Sequence, residues 1–182
     1  FTVFGGVFSF DVMQLDRVLL PLALVAIFSM SLVAIFQANV KRMLAYSSVA
    51  QIGYMILGIS MASVTGLTAG ILHLFNHALI KGSLFMALGC VMYRVGSVEI
   101  EAMRGLAKKM PWTMAAFVAG GFSLIGLPST VGFISKWYLI LGALERGVWP
   151  VAGLVLITSL MAVVYVWRVV EAAYFQEAPG DG

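Results

Sequence analysis

Charged residues are scarce in this sequence, and their scarcity excludes most soluble folds. Only 10% of the 182 residues are Asp, Glu, Lys or Arg, whereas soluble domains carry about a quarter. Hydrophobic residues make up 62%, and the mean hydropathy is +1.02. Apolar runs recur along the whole chain rather than once at its start, so a cleaved secretory signal does not account for them. The composition therefore predicts an integral membrane protein.

Cysteine is rarer still. The one cysteine, Cys90, lies within an apolar run, which excludes a disulfide framework and a cysteine-rich metal site. The net charge is only +3, and the basic residues concentrate between the apolar runs, which suits orientation in a membrane better than nucleic-acid binding. The chain begins at Phe1, inside hydrophobic sequence, and ends at APGDG. We expect a fragment of a longer protein, with residues 1–182 forming one partial transmembrane domain.

Long hydrophobic runs predict four full-length membrane-spanning helices. They cover approximately residues 18–37, 44–64, 67–93 and 148–175. A break at Thr65 and Gly66 is expected to separate the second helix from the third. The only long polar stretch, residues 94–111, is predicted to be a cytoplasmic loop that can hold a short surface helix.

Two shorter apolar arms follow this loop. Each has about 16 residues, fewer than the roughly 20 that a crossing needs, and Gly-Leu-Pro-Ser at residues 126–129 separates them. They could form two short helices or one crossing made by a discontinuous helix. We favour the discontinuous helix, broken at Gly126 and Pro128, because transporter sites are typically built where a membrane helix breaks. The sequence thus predicts an all-α integral membrane protein with five to six transmembrane helices.

Basic residues are divided unevenly between the two ends of the predicted helices. If the broken helix is one crossing, Arg17 and Arg146 lie at one end. The larger group lies at the other end: Lys41, Arg42, Arg94, Arg104, Lys108, Lys109 and Arg168. The positive-inside rule makes this second end cytoplasmic. If each arm instead crosses the membrane by itself, Arg146 and Arg168 exchange ends, and the excess of Lys and Arg stays at the same end.

The third hydrophobic run carries His73, His77 and Lys81 at four-residue spacing. The two histidines are the only ones in the sequence. On a helix the three positions form one polar stripe. A metal site is disfavoured, because neither a third ligand nor a Glu general base lies nearby. Hydrogen bonding to neighbouring helices explains one histidine but explains a row of three less well. A proton relay explains the row, since each group can hold and release a proton and Asn76 can help to hold water.

Lysines at three positions are candidate proton carriers: Lys81 within this row, and Lys136 and Lys41 outside it. A buried lysine can exchange protons near neutral pH, whereas one that extends its ammonium to the membrane surface only anchors a helix. Both readings are open for Lys81 and for Lys136, which follows Pro128 by eight residues. Backbone carbonyls that lose their partners at the helix break would stabilise the charged form of Lys136. Lys41, beside Arg42, fits a positive-inside anchor equally well on composition alone.

Long motifs at three places resemble one known family. They are QANVKRMLAYSSVAQIGYM (37–55), LHLFNHALIKGSLF (72–85) and SLIGLPSTVGFISKWYLILGAL (123–144). Together and in this order, they are similar to the antiporter-like proton-translocating subunits shared by respiratory complex I, membrane-bound hydrogenases and Mrp-type multisubunit cation/proton antiporters. The MPWTMAAF run (110–117), the SKWYL segment and the VYVWRVVEAAYF ending (164–175) look most like the D-type subunit of the Mrp antiporters.

The resemblance implies the second half of a unit of about 14 helices, built from two inverted repeats that each contain a broken helix and form a half-channel. It places proton-path roles on Lys41, His73, His77, Lys81 and Lys136. The sequence departs from the family pattern at Asn39, where an Asp is usual, and at Ser129, which follows Pro128 where a second proline is common. Neither change removes a titratable residue from the proposed path.

These observations lead us to expect a lateral proton wire from Lys41 through the His73, His77 and Lys81 row to Lys136. The host would be a multisubunit Na⁺/proton antiporter. The alternatives are a redox-driven pump of the NADH-quinone oxidoreductase or hydrogenase type, and a purely structural membrane subunit. The sequence has no nucleotide, flavin or haem motif, so we expect no cofactor, no metal and no redox site in this chain, even within a dehydrogenase. Implied partners are other membrane subunits, the lipid bilayer, protons and Na⁺, in a bacterial plasma (inner) membrane.

Overall fold

Helices account for the ordered architecture of this protein. The computed structural model describes residues 8–177, without the side chain of Phe8; the expected fragment ends, at Phe1 and at residues 178–182, lie outside the described residues. Six long helices follow one another: α1 (Leu15–Ile35), α2 (Val40–Ser60), α3 (Val64–Val95), α4 (Pro111–Ile125), α5 (Val131–Glu145) and α6 (Trp149–Phe175). Helices α1, α2, α3 and α6 are each long and apolar enough to cross a membrane. The predicted all-α membrane fold is confirmed.

Side-chain caps set where the helices begin. The Asn39 side chain accepts a hydrogen bond from the Arg42 amide at 3.1 Å, so α2 starts at Val40 and includes Lys41 in its first turn. The Ser63 hydroxyl accepts one from the Gly66 amide at 3.0 Å and starts α3 at Val64. The break expected at Thr65 and Gly66 is therefore misplaced. Both residues lie inside α3, because the serine before them satisfies the first amides of the helix.

Helices α4 and α5 lie end to end along α3 and run antiparallel to it. Successive contacts step down α3 from its carboxyl end to its amino end. They join Gly120 to Leu84, Val131 to Asn76, Ser135 to His73, and Gly142 to Gly66. The two arms therefore form one discontinuous crossing, as the sequence favours.

Two arginines at opposite ends of the helix bundle agree with a single crossing. The Arg168 guanidinium, in α6, donates hydrogen bonds to the carbonyls of Ile35 and Gln37, beside the start of α2. The Arg146 guanidinium donates to the Ser60 carbonyl at 2.6 Å and to the Asp16 carboxylate at 2.5 Å, at the other end. Each arginine lies where the one-crossing arrangement of charges puts it.

The helices close into a ring. Helix α1 packs on α2, α2 on α3, α3 on both arms of the broken helix, the arms on α6, and α6 on α1. Two buried apolar clusters fill this ring. One lies toward the Lys41 end and contains Met43, Leu84, Phe117 and Val166; the other lies toward the Arg146 end and contains Ile27, Leu57, Leu139 and Val155.

The polar stretch between α3 and α4 folds back onto the bundle. It contains the short helical turns Ile100–Met103 and Leu106–Lys109. Val40 and Ile100 donate backbone hydrogen bonds to Val98 and Ala38, each at 2.9 Å, and Met103 is fully buried. The stretch thus contains short helical turns, as expected, but its apolar side chains cover one end of the bundle instead of lying on the surface.

Candidate functional site

A layer of buried polar side chains separates the two apolar clusters. In this layer α2 provides Ser47 and Gln51, α3 provides His73 and Lys81, α5 provides Ser135 and Lys136, and α6 provides Thr158. Buried polar groups in a membrane protein are unfavourable unless they are partnered, and they usually mark substrate or ion pathways. This layer is the candidate functional site.

Lys136 lies at the break of the discontinuous helix. Its ammonium donates hydrogen bonds to the carbonyls of Leu124 at 3.0 Å and Ile125 at 2.8 Å, and to the Ser159 hydroxyl at 3.0 Å. The last carbonyls of a helix have no partner within the helix, and they carry the negative end of its dipole. Lys136 is only 5% exposed. It therefore does not extend to the surface, and the freed carbonyls hold it as the sequence suggested.

The backbone at the break is shaped by two left-handed residues. Gly126 ends α4 with a φ of 86°, and Ser129 has a φ of 74°. Proline fixes φ near −65°, so a second proline at position 129 could not adopt this turn. A Cβ built on Gly132 would lie 1.8 Å from the Ser123 carbonyl oxygen, which shows how closely the start of α5 passes the end of α4. The serine and the glycine thus fit this particular break.

Lys81 is held on the opposite side of the layer. Its ammonium donates to the Leu44 carbonyl at 2.7 Å and to the Ser47 hydroxyl, both in α2. The side chain is 5% exposed. Lys81 therefore points its charge into the bundle, and the alternative in which it reaches the membrane surface does not apply.

His73 joins three helices. Its Nε2 lies 2.8 Å from the Gln51 Oε1 and its Nδ1 lies 2.9 Å from the Ser135 hydroxyl oxygen. The Ser135 hydroxyl also lies 3.2 Å from the Gly132 carbonyl, to which it can donate. Both partners of the imidazole can accept hydrogen bonds, and Ser135 can instead donate one. The pocket can thus satisfy His73 in its neutral form and in its charged form.

His77 differs from His73 in having an unsatisfied nitrogen. The two imidazole rings are nearly parallel, with centroids 6.5 Å apart. His77 is half-buried, and its buried Nδ1 has no hydrogen-bond partner among the described residues. The neighbouring Asn76 amide donates to the Val131 carbonyl at 2.7 Å, so it ties α3 to the break. The row expected from the sequence lies on one helix, and His77 is its member with an unsatisfied nitrogen.

The structure does not bring Lys41 into this layer. Its side chain is exposed in the first turn of α2, where it borders a surface cavity of about 400 Å³ with Phe85, Leu88 and Met92. Of the other predicted proton-path residues, His73, Lys81 and Lys136 are buried in the bundle interior, and the half-buried His77 lies beside His73. The role of Lys41 stays a prediction based on the family resemblance.

Sequence reasoning missed the polar partners on α2 and α6. Ser47, Gln51 and Tyr54 recur at four- and three-residue steps, so they form a second stripe that faces the α3 row. The Tyr54 hydroxyl lies 2.5 Å from the Thr158 hydroxyl of α6, and the Lys136 ammonium lies 5.4 Å from the centroid of the Tyr54 ring. The helical period of AYSSVAQIGY was the available signal for this stripe.

This arrangement is suited to holding and moving protons. Lysine and histidine side chains with hydroxyl and amide partners supply groups that donate and accept protons. Among residues 8–177, His, Cys, Asp and Glu side chains do not gather in a group of three or more that could hold a metal ion.

Comparisons with known proteins identify the family. Residues 1–162 match the family described as NADH:quinone oxidoreductase/Mrp antiporter, transmembrane. The subunit N of NADH-quinone oxidoreductase from Desulforudis audaxviator is 49% identical over 152 residues, which cover 84% of this chain and 30% of that protein. The chain spans about a third of the length of the curated relatives it matches.

Solved structures share the fold. A chain of the membrane-bound sulfane sulfur reductase, an archaeal respiratory membrane complex, has a TM-score of 0.84 and 36% identity, covering 93% of this chain and 36% of its own length. A chain of the Mrp complex from Dietzia sp. has a TM-score of 0.86 and 31% identity, covering 90% of this chain and 31% of its own length. The three motifs, the broken crossing and these matches agree, and the chain belongs to the family of NADH:quinone oxidoreductase/Mrp antiporter transmembrane subunits.

Proposed function

We propose that this chain is the second half of a proton-translocating membrane subunit and that His73, His77, Lys81 and Lys136 carry its proton path. The polar layer is the observation that carries the proposal. Two buried lysines and a buried histidine lie between two apolar clusters, inside one ring of helices. Hydrocarbon side chains of similar size would satisfy the packing without the desolvation penalty of two ammonium groups. A path that needs titratable groups explains why they are there.

Lys136 and Lys81 are proposed as the two ends of the path through this half. Lys81 is held by one backbone carbonyl and Lys136 by two, each together with one serine hydroxyl, and no carboxylate is among their hydrogen-bond partners in residues 8–177. Such partners stabilise the charged lysine without neutralising it, so the proton can leave as well as arrive. On α3, His73 contacts Ser135, the neighbour of Lys136, and His77 lies between His73 and Lys81, so the two histidines would pass protons from one lysine to the other.

Lys41 is retained as a proposed member of the path on the family resemblance. It is exposed in the first turn of α2, whereas Lys81 is buried and hydrogen-bonded to Leu44 and Ser47. Replacing Lys41 with alanine, and separately its exposed neighbour Arg42, tests this point. Loss of transport in the first variant alone would support a path role, and equal behaviour of the two variants would leave Lys41 as a membrane anchor.

A redox-driven complex of the NADH-quinone oxidoreductase type is the proposed host. Identity to subunit N of that enzyme is 49%, above the 31% to the aligned chain of the Mrp complex. A cation/proton antiporter is the second candidate, supported by the D-type Mrp resemblance of residues 110–117 and 164–175 and by the TM-score of 0.86. In both hosts this chain would move protons, while redox chemistry or cation binding would reside elsewhere.

The test uses the full-length subunit in its assembled complex, reconstituted in vesicles that contain a pH-sensitive dye. Proton movement is started with NADH and quinone in one experiment and with a Na⁺ gradient in another. We expect Lys81→Ala and Lys136→Ala to abolish proton movement while the complex still assembles. Unchanged proton movement in both variants would refute the proton path. The driving reaction that works identifies the host complex.

The localisation proposed for the host is a plasma membrane, with residues 94–111 on the cytoplasmic side. The excess of Lys and Arg at that end supports this orientation. A cysteine at position 97, with Cys90→Ser and every other cysteine of the full-length subunit replaced, reports it. A membrane-impermeant maleimide should label Ser97→Cys in inverted vesicles and not in right-side-out vesicles; the reverse pattern would invert the assignment.

A further inference from the structure

The two ring nitrogens of His73 have hydrogen-bond partners of different chemical type. Gln51 of α2 presents its side-chain carbonyl oxygen, Oε1, 2.8 Å from Nε2. Ser135 of α5 places its hydroxyl oxygen 2.9 Å from Nδ1. All three side chains are buried. Neither an amide nor a serine hydroxyl titrates near neutral pH, so any effect of Gln51 and Ser135 on proton movement acts through the imidazole.

The Gln51 oxygen determines which nitrogen of the imidazole keeps its proton. A carbonyl oxygen can only accept a hydrogen bond, so Nε2 is the donor in this contact. A neutral imidazole carries one ring proton, and with that proton on Nε2 its Nδ1 is bare. A buried acceptor at one ring nitrogen holds a histidine in one tautomer in the same way in enzymes. Nδ1 is therefore the atom that gains a proton when His73 becomes charged.

The Ser135 hydroxyl has two acceptors within reach and only one proton. Its oxygen lies 2.9 Å from Nδ1 of His73 and 3.2 Å from the carbonyl oxygen of Gly132, one turn earlier in α5. When Nδ1 is bare, the hydroxyl donates to it. When Nδ1 carries a proton, Nδ1 donates to the serine oxygen and the hydroxyl turns to the Gly132 carbonyl. Both forms of His73 are thus fully hydrogen-bonded, and they differ in the direction of one hydroxyl.

The other titratable side chains beside His73 do not compete for its nitrogens. The Tyr54 ring lies edge-on to the imidazole with centroids 5.4 Å apart, and the His77 ring is stacked on it at 6.5 Å. The Lys136 ammonium, one residue beyond Ser135 in the chain, is directed to carbonyls at the end of α4 and to a hydroxyl of α6. Among residues 8–177, the hydrogen bonds of the imidazole nitrogens go only to the glutamine of α2 and the serine of α5.

We propose that Gln51 and Ser135 are positioning residues of the proton path: Gln51 holds one proton on Nε2, and Ser135 leaves Nδ1 as the nitrogen through which His73 takes up and releases protons. This inference rests on the proposed proton-translocating function. On uptake, a proton from the path forms a bond to Nδ1, His73 gains one positive charge, and the hydroxyl turns to Gly132. On release, that N–H bond breaks, its electron pair stays on Nδ1, and the hydroxyl turns back. His73 thus exchanges protons on the side that faces α5, the helix of Lys136.

The tautomer is measured directly in the assembled complex that contains the full-length subunit. The complex is produced with histidine labelled with ¹³C and ¹⁵N, and solid-state NMR in lipid vesicles distinguishes protonated from bare ring nitrogens. Subtracting the spectrum of His73→Gln, or of His73→Asn if the first variant does not assemble, isolates the His73 signals. In the neutral ring we expect a protonated Nε2 and a bare Nδ1. A neutral ring with its proton on Nδ1 would overturn the proposal.

The two positioning residues give opposite results in this spectrum. In Gln51→Leu the fixed acceptor is lost, and Ser135 can pair with either tautomer, so we expect signals of both tautomers. In Ser135→Ala the Gln51 oxygen remains, so Nε2 stays protonated and Nδ1 stays bare. A purely structural role of the two residues does not produce this difference. An unchanged tautomer in Gln51→Leu would assign Gln51 a packing role and refute its part of the proposal.

Proton uptake into vesicles shows whether the arrangement affects transport. We expect Gln51→Leu and Ser135→Ala each to lower the rate about 100-fold, the contribution typical of a positioned proton-transfer group. Ser135→Thr keeps the hydroxyl and should restore much of the rate. The matched control is Ser60→Ala, because Ser60 is also fully buried and its hydroxyl donates to a carbonyl three residues earlier, at 2.8 Å. The Ser60→Ala rate stays at the wild-type value.

The lysine variants separate failure of this inference from failure of the proposed function. If Gln51→Leu and Ser135→Ala transport at the wild-type rate while Lys81→Ala and Lys136→Ala abolish transport, the positioning roles are wrong and the proton path stands. If the lysine variants also transport normally, the proposed function itself fails.

Discussion

The Lys136 ammonium lies 2.8 Å from the carbonyl oxygen of Ile125, the last residue of α4. One side chain of α5 thereby caps the helix that precedes it, across a break of five residues. The contact links the two arms mechanically, and it also places the lysine in the negative field of a helix end. Structure and proposed function therefore depend on the same hydrogen bonds.

Replacing Lys136 should separate these two roles. In Lys136→Leu the carbonyls of Leu124 and Ile125 lose their buried partner, so we expect the subunit to be destabilised by about 1–3 kcal/mol. Lys136→Gln retains a donor and should recover part of that loss while remaining unable to carry a proton. Thermal unfolding of the purified complex gives the first quantity, and vesicle proton uptake gives the second. A glutamine variant that transports protons would contradict the assignment of Lys136.

Gly132 should not tolerate a side chain. Its Cβ would lie 1.8 Å from the Ser123 carbonyl oxygen, so Gly132→Ala must push the two arms apart. Overpacking of this kind typically destabilises by about 1–3 kcal/mol. Gly153→Ala is the matched control, since no atom lies within 4 Å of its added Cβ, and it should be neutral or slightly stabilising. Equal melting temperatures for the two variants would mean that the arms are not in close contact.

Asn39 is expected to be better than aspartate at its position. Its amide donates to the Glu99 carboxylate at 2.7 Å while its carbonyl oxygen caps α2. Asn39→Asp removes the donor and places two carboxylates together, so the stretch before α4 should detach more readily. Faster tryptic cleavage at Arg104, Lys108 or Lys109 measures this effect. Glu99→Gln in the same chain restores a donor and should reverse it; failure to do so would point to a different cause.

The two histidines should respond differently to substitution. His73→Leu leaves Gln51 and Ser135 without their partner, so we expect a loss of about 1–3 kcal/mol. His77→Leu removes a ring whose buried nitrogen has no hydrogen-bond partner in residues 8–177, so it should change stability little and yet lower the rate of proton uptake. Thermal unfolding and vesicle uptake are measured on both variants. A His77→Leu protein with full transport activity would exclude His77 from the path.

The helices and the titratable row were predictable from the sequence, because both follow from local periodicity and composition. Helix α3, with its 32 residues, is a long apolar run in the sequence. Its polar stripe at His73, His77 and Lys81 follows from four-residue spacing, which places side chains on one face of any helix. Caps shifted the boundaries by a few residues, as Ser63 did for α3. The single crossing of the two arms was favoured from their lengths and from Pro128.

The partners of that row were not predictable, because they depend on contacts between helices far apart in sequence. Lys81 reaches Leu44 and Ser47, and His73 reaches Gln51 and Ser135. Ser47, Ser135 and Thr158 are residue types common in any membrane helix, so only their meeting in space distinguishes them. The asparagine cap places Lys41 in the first turn of α2, where its side chain is exposed, and the charge of Lys41 alone did not reveal this.

The closed ring of helices has a consequence for how the subunit is made. Chains are synthesised from the amino end, so α1 to α5 are produced before α6. Thr158 and Ser159 belong to α6 and reach the polar layer last. Until then Lys136 lacks its hydroxyl partner and the layer is open toward lipid on that side. Docking of α6 is therefore the assembly step that supplies the Ser159 partner of Lys136 and closes the ring around the polar layer.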